Sequence, residues 1–82
     1  MWETVHNPTR LMRVFSFDTH PKLKYFVDEL LAYQNSSQHH CTMTIENSVV
    51  QIETYTHSVR TVTSQDLKLS RFADEIYLDT RF

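Results

Sequence analysis

Hydrophobic and polar residues alternate along the first part of the chain with the two-residue period of a β-strand. Within residues 10–17, Phe15 and Phe17 share one side of this pattern, and β-forming residue types are frequent. A turn over residues 5–9, marked by an Asn-Pro pair, separates this strand from a short edge strand over residues 2–5. The pattern therefore predicts that the fold begins with two strands.

Two later segments repeat their hydrophobic residues at the three-to-four-residue spacing of an α-helix. The first follows Asp18 or Thr19, either of which can cap it, and extends to about Gln34. The second covers residues 64–77 and follows a Ser/Thr-x-x-acid capping box that opens at Thr63. The hydrophobic positions of the two helices are Leu23, Phe26, Val27, Leu30 and Leu31, then Leu69, Phe72, Ala73 and Ile76.

A β-hairpin is predicted between the two helices. Residues 42–45 and 49–56 are rich in β-branched side chains, and Asn47 stands between them at the tight position of the turn. In the second of these strands, Val50 and Ile52 point to one face, which we expect to be the core. The element order is therefore β-β-α-β-β-α. It favours an α+β fold, in which two helices pack on one face of a four-stranded antiparallel sheet.

Glycine is absent from the chain, which limits both its turns and its chemistry. A turn that needs a positive φ angle must use another residue, and Asn7, Asn35 and Asn47 are the candidates. If the loop over residues 58–61 needs a positive φ angle, Arg60 or Thr61 would adopt it at a cost of about 1 kcal/mol or more. A glycine-free chain also cannot carry a P-loop or a dinucleotide-binding fingerprint, because both need glycine close to phosphate.

Size, charge and cysteine content exclude further classes of function. With 82 residues and 40% hydrophobic side chains, the chain is expected to fold as one domain over residues 1–82. The net charge is −2 with both signs scattered, so no direct nucleic-acid binding is expected. No export signal or membrane anchor is visible. Cys41 is the single cysteine and cannot form an internal disulfide, which favours a cytoplasmic location.

Three of the five histidines carry the main candidate chemistry. His39 and His40 lie where a loop meets a strand, and His57 lies at the end of a strand. Because imidazole titrates near neutral pH, these side chains could supply both an acid and a base. Alternatively, they are exposed or locally hydrogen-bonded polar residues. A zinc site is disfavoured, since neighbouring histidines in a strand point to opposite faces and no standard metal motif occurs.

Cys41 and Asp66 are weaker candidates on the residues alone. A cysteine nucleophile needs a positioned base and usually a helix N-terminus, whereas Cys41 enters a strand. We therefore expect it to be a small buried apolar residue. Asp66 can be explained as the acid of a capping box.

Several short sequence motifs, spread over nearly the whole chain, contain these candidate residues or precede them. The motifs are His39-His40-Cys41, Thr56-His57-Ser58 and Val62-Thr63-Ser64-Gln65-Asp66, preceded by Trp2-Glu3, by Leu11-x-Arg13-x-Phe15-x-Phe17 and by the helix with Phe26. Together they resemble the pterin-4a-carbinolamine dehydratase family.

The resemblance implies a fold without the usual N-terminal helix of the family and a lyase activity. The reaction would dehydrate 4a-hydroxytetrahydropterin to quinonoid dihydropterin, as part of tetrahydrobiopterin recycling. By similarity, His39 and His57 would be the acid–base pair, in an order left open, and His40 would position the pterin. Asp66 would orient a histidine or hold charge near it, and Asp66 and Cys41 would be substrate-binding positions.

The resemblance also implies the partners of the protein. The pterin would be the substrate itself, without a metal or a separate cofactor, and the chain would form a homodimer or homotetramer. The alternative is a non-catalytic binding or assembly module on the same fold, of the transcription-factor dimerisation or Rubisco assembly type. The retention of His39, His40, His57 and Asp66 favours the enzyme.

Overall fold

The computed structural model of the protein describes residues 1–80. It contains four strands and two helices, in the predicted order β-β-α-β-β-α. In these residues no helix is both long and apolar enough to cross a membrane. The elements are β1 (Glu3–Val5), β2 (Arg10–Ser16), α1 (His20–Ser37), β3 (Thr42–Glu46), β4 (Val49–Thr54) and α2 (Ser64–Asp79).

The four strands form one antiparallel sheet with the order β1-β2-β4-β3. Two hairpins, β1–β2 and β3–β4, supply the strands, and α1 connects them across the sheet. The two central strands pair over their length, with Phe15 of β2 opposite Val50 of β4. This arrangement confirms the predicted α+β fold.

The hydrophobic core lies between one face of the sheet and the two helices. In β4 alternate residues are fully buried, and these include Val50 and Ile52 as predicted. Leu31 was expected on the hydrophobic face of α1, but its side chain is half exposed, so that face is narrower than predicted. The buried hydrophobic residues are Phe15, Phe17, Leu23, Phe26, Leu30, Val50, Ile52, Leu69, Ala73 and Ile76.

Helix α1 ends later than the sequence predicts. It begins after the cap Thr19 and runs to Ser37, so Asn35 is helical and the prediction of a positive φ there is wrong. The left-handed residue is instead Gln38, with φ 59°, whose N–H donates to the carbonyl of Gln34. Asn and Ser disfavour a helix interior only weakly, so backbone hydrogen bonds carry the helix through them.

The remaining turns agree with the expectations. Asn7 and Asn47 have φ angles of 65° and 55°, and Arg60 has φ 53° in the glycine-free loop before α2.

The last strand is shorter than predicted. It ends at Thr54, because beyond that point only an isolated bridge between Thr56 and Thr61 continues the pairing.

The N-terminal segment is tied to the last helix by two hydrogen bonds. The indole nitrogen Nε1 of Trp2 donates to Oδ1 of Asp74 at 2.8 Å, although the two residues are 72 positions apart in the sequence. Arg13 Nη1 forms an ion pair with the same oxygen at 2.6 Å. These contacts hold Trp2 and the interior strand β2 against α2.

Candidate active site

The N-terminus of α2 is built around one buried carboxylate. Thr63 caps the helix, and its backbone N–H donates to Oδ2 of Asp66 at 2.9 Å, which forms the predicted capping box. Asp66 is fully buried, unlike most capping residues, which face solvent. Its carboxylate must therefore find all its hydrogen-bond partners inside the protein.

Three side chains supply those partners. Thr54 donates from Oγ1 to Oδ1 of Asp66 at 2.6 Å, and Thr56 donates to Oδ2 at 2.8 Å. The Nε2 atom of His39 lies 2.6 Å from Oδ1. With the backbone N–H of Thr63, four donors surround one carboxylate. We call these five residues the Asp66 cluster.

The hydrogen bonds decide the charge of Asp66. Burial by itself would raise the pKa of its carboxyl group, because a charge is poorly solvated there. The hydrogen bonds from Thr54, His39, Thr63 and Thr56 outweigh burial and hold that pKa below its ordinary value. The carboxylate is therefore ionised at neutral pH.

An ionised Asp66 assigns the two ring nitrogens of His39. Nε2 must carry the hydrogen that the carboxylate accepts, so a neutral ring keeps its lone pair on Nδ1. Within residues 1–80, Nδ1 has no protein partner, and the buried nitrogen that lacks a partner is Nε of Arg13 instead. Nδ1 is therefore solvent-accessible, although only 10% of the His39 side chain is exposed.

The position of His39 follows from the end of α1. The left-handed Gln38 turns the chain out of the helix, and the N–H of His39 donates to Oγ of Ser37 at 3.3 Å. This turn points the ring inward to the first turn of α2. The next residue, His40, is exposed and makes no hydrogen bond or ring contact in the part of the chain that the structure describes.

His57 lies outside the Asp66 cluster. It is exposed beyond the end of β4, and its ring packs against Tyr55 with 4.2 Å between the centroids. The structure thus brings His39 and Asp66 together, but shows no hydrogen bond from either to His40 or His57. In residues 1–80, no group of three or more His, Cys, Asp or Glu is arranged to hold a metal.

Cys41 contacts α1 rather than the Asp66 cluster. Its Sγ lies 2.9 Å from Oε1 of the buried Gln34, which also accepts the backbone N–H of Cys41 at 2.7 Å. Burial raises the pKa of the thiol to about 11. The thiol is therefore neutral at physiological pH, which does not favour a nucleophile.

A pocket of about 150 Å³ lies beside His39, between the end of α1 and the start of α2. The sequence analysis did not predict the other four residues that line this pocket. They form two pairs, spaced i,i+4 on α1 and i,i+3 on α2, and such spacing places each pair on one side of its helix. Thr54 was also missed, and the available signal was a hydroxyl at a core-facing strand position. The lining residues are Tyr33, Ser37, His39, Gln65 and Lys68.

The four-stranded antiparallel sheet and the two helices agree with the fold expected for the pterin-4a-carbinolamine dehydratase class of protein. The sequence profile of the Pterin 4 alpha carbinolamine dehydratase family matches residues 1–76. The chain therefore belongs to this family, which confirms the resemblance found in the sequence. No curated protein sequence matches this chain.

Two solved structures are similar over most of the chain. A transcriptional coactivator/pterin dehydratase from Brucella melitensis has 25% identity and a TM-score of 0.88, and the match covers 93% of this chain and 81% of that one. A pterin dehydratase-like protein identified as a RuBisCO assembly factor in the alpha-carboxysome has 17% identity and a TM-score of 0.81. That match covers 93% of this chain and 88% of the other, and its low identity supports the fold alone.

Proposed function

We propose that the protein is a hydro-lyase that dehydrates 4a-hydroxytetrahydropterin to quinonoid dihydropterin. The observation that carries the proposal is the buried carboxylate of Asp66, which holds Nε2 of His39 at 2.6 Å and leaves Nδ1 accessible. Membership of the family supplies the substrate class. The reaction belongs to tetrahydrobiopterin recycling.

The chemistry needs one base and one acid. The C–O bond at position 4a breaks, the proton on the neighbouring ring nitrogen is lost, and the hydroxyl leaves as water after it gains a proton. A base must therefore face the ring nitrogen while an acid faces the hydroxyl. No electron is transferred to another molecule in this step.

We assign His39 as the base. Its Nδ1 lone pair is accessible, and the Asp66 carboxylate stabilises the imidazolium that forms when Nδ1 takes a proton. His57 is then the acid, and His40 positions the pterin. Both are exposed, so the substrate would complete the site by lying between them and His39. Cys41, a half-buried neutral thiol, would act only as part of the wall that binds substrate.

The test is the rate at which enzymatically generated 4a-hydroxytetrahydropterin disappears with purified protein. We expect acceleration by the wild type and a loss of at least about 100-fold in His39→Gln and in His57→Ala. His20→Gln is the matched control, since His20 is exposed at the start of α1. A wild-type rate equal to the uncatalysed rate would rule out the proposal.

The second candidate is a non-catalytic assembly module. It is favoured by the exposure of His40 and His57, which have no hydrogen bond to the Asp66 cluster in the described residues. This candidate predicts no acceleration with the pterin and a stable complex with a protein partner. Pull-down followed by the mass of the purified complex would identify it.

We further propose that the chain works in the cytoplasm as a homodimer or homotetramer. A domain of 82 residues buries a smaller fraction of its unfolded surface than a larger domain does, so subunit contacts would add to a thin core. Sedimentation equilibrium would measure the assembly, and a monomer at working concentration would contradict this expectation.

A further inference from the structure

Hydrogen bonds fix the backbone around His57. The N–H of Thr56 donates to the carbonyl of Thr61 at 2.9 Å, and the carbonyl of Thr56 accepts the N–H of Val59 at 3.3 Å. The hydroxyl of Thr56 donates to Asp66 at 2.8 Å, so the residue before His57 is also anchored in the Asp66 cluster. The remaining freedom of His57 therefore lies in the torsions of its side chain.

Those torsions are limited by a single neighbour. In residues 1–80, the only hydrogen bond, ion pair or ring contact of the His57 side chain is its packing against the ring of Tyr55, with 4.2 Å between the centroids and 35° between the planes. By contrast, the ring of His39 is held through Nε2 by the carboxylate of Asp66. The two histidines are therefore oriented by different means.

A ring contact suits an exposed group that must transfer a proton. A free side chain at the surface samples several rotamers, and ordering it when substrate binds costs free energy. Tyr55 is half-buried, so it offers the exposed His57 ring a more fixed surface. The contact is made between ring faces and edges rather than through a hydrogen bond. Both imidazole nitrogens therefore remain free, and the ring can still shift along Tyr55 as substrate binds.

We propose that Tyr55 is a positioning residue for His57. It holds the imidazole in the orientation from which His57 protonates the leaving hydroxyl, and it does not contact the reacting atoms itself. The inference rests on the proposed function, because His57 is the acid of that reaction. It adds that an aromatic ring orders the acid, whereas a buried carboxylate orders the base.

The first test measures kcat and KM for the dehydration of enzymatically generated 4a-hydroxytetrahydropterin. Tyr55→Leu keeps an apolar side chain but removes the ring, so we expect kcat to fall about tenfold while KM stays within about twofold. Tyr55→Phe keeps the ring and should retain at least about half of the wild-type kcat. Tyr25→Leu is the matched control, since Tyr25 is an exposed tyrosine of α1.

Three results of this test would overturn the inference. The first is an unchanged kcat in Tyr55→Leu. The second is a loss in Tyr55→Phe as large as that in Tyr55→Leu, which would mean that the hydroxyl rather than the ring is needed. The third is a rise in KM alone, which would mean that Tyr55 binds substrate instead of orienting His57.

Two further readouts ask whether Tyr55 acts through His57. In a His57→Ala background, Tyr55→Leu should lower kcat no further, at enzyme concentrations that keep the rate above the uncatalysed one. An equal loss in both backgrounds would contradict the positioning role. In proton NMR spectra, the His57 ring protons should be displaced from random-coil positions by the Tyr55 ring. Tyr55→Leu should remove that displacement and Tyr55→Phe should keep it, whereas random-coil positions in the wild type would also count against the inference.

The outcomes separate this inference from the proposed function. A wild-type protein that accelerates dehydration and tolerates Tyr55→Leu would keep the proposed function and lose only the positioning role. A wild-type rate equal to the uncatalysed rate would remove the proposed function, and the positioning role would fall with it.

Discussion

Thr54 and Tyr55 are neighbours in the sequence, yet they belong to regions of opposite character. Thr54 is buried and donates into the Asp66 cluster, where every hydrogen bond of the carboxylate is internal. Tyr55 follows just beyond the end of β4 and packs against the exposed ring of His57. One half of the candidate site is therefore fixed before substrate binds, while the other half can adjust to the substrate.

The largest expected effect comes from removing the centre of the buried region. Asp66→Asn places an amide NH₂ among four donors and leaves some of them unsatisfied, so we expect it to lower the free energy of unfolding by about 3 kcal/mol at pH 7. Urea denaturation would measure this. Asp28→Asn is the control, because its ion pair with Lys24 lies on the exposed surface, where such pairs contribute little to stability. Equal losses in the two variants would contradict the role given to the cluster.

Acid should weaken the same region more gradually. The pKa of Asp66 is lower in the folded state than its unfolded value of about 3.9, so its stabilisation is complete above about pH 4. It is lost as the pH falls through the folded pKa. We therefore expect the stability gap between wild type and Asp66→Asn to close progressively as the pH falls below about 4. A gap that stays constant over this range would show that the carboxylate charge is not what stabilises the cluster.

A smaller effect is expected from Thr54→Val, which keeps the shape of the side chain and removes its hydroxyl. Asp66 loses one of four donors, so we expect a stability loss of about 1–2 kcal/mol and a dehydration rate at least about tenfold lower. Thr54→Ser should restore most of both. Thr44→Val, on an exposed position of β3, is the control. An unchanged rate in Thr54→Val would remove Thr54 from the positioning of His39.

The smallest effect is expected in the loop that joins the two regions. Arg60 has φ 53°, a conformation that glycine adopts without steric cost, so Arg60→Gly should raise the free energy of unfolding by about 0.5 kcal/mol. Asn47→Gly is the matched control and should gain less, since Asn tolerates this region. Urea denaturation of both variants measures the difference. A loss of stability in Arg60→Gly would mean that its side chain contributes more than its backbone costs.

Most of the fold could be predicted because it depends on local patterns. Alternation placed Val50 and Ile52 in the core, and the capping box located the start of α2. The end of α1 could not be predicted in the same way. Gln34 accepts a partly buried hydrogen bond from Cys41, seven positions away, and such tertiary contacts override the local preference of Asn and Ser.

The candidate site could be predicted only in part for a similar reason. The motifs named His39 and Asp66, but their contact depends on two chain segments 27 positions apart that meet in the folded protein. Thr54 belongs to an ordinary strand pattern, so only the structure reveals its hydroxyl as a donor to Asp66. Lys68 was missed because an exposed lysine on a helix is usually a solvated residue.

The hydrogen bond between Trp2 and Asp74 has a consequence for the order in which the protein is made. During synthesis the N-terminal segment leaves the ribosome long before the residue that will hold it. Until α2 emerges, the indole of Trp2 and the guanidinium of Arg13 lack their acceptor. The first hairpin can therefore pair its two strands early, but it gains its side-chain contacts with α2 only after that helix has left the ribosome.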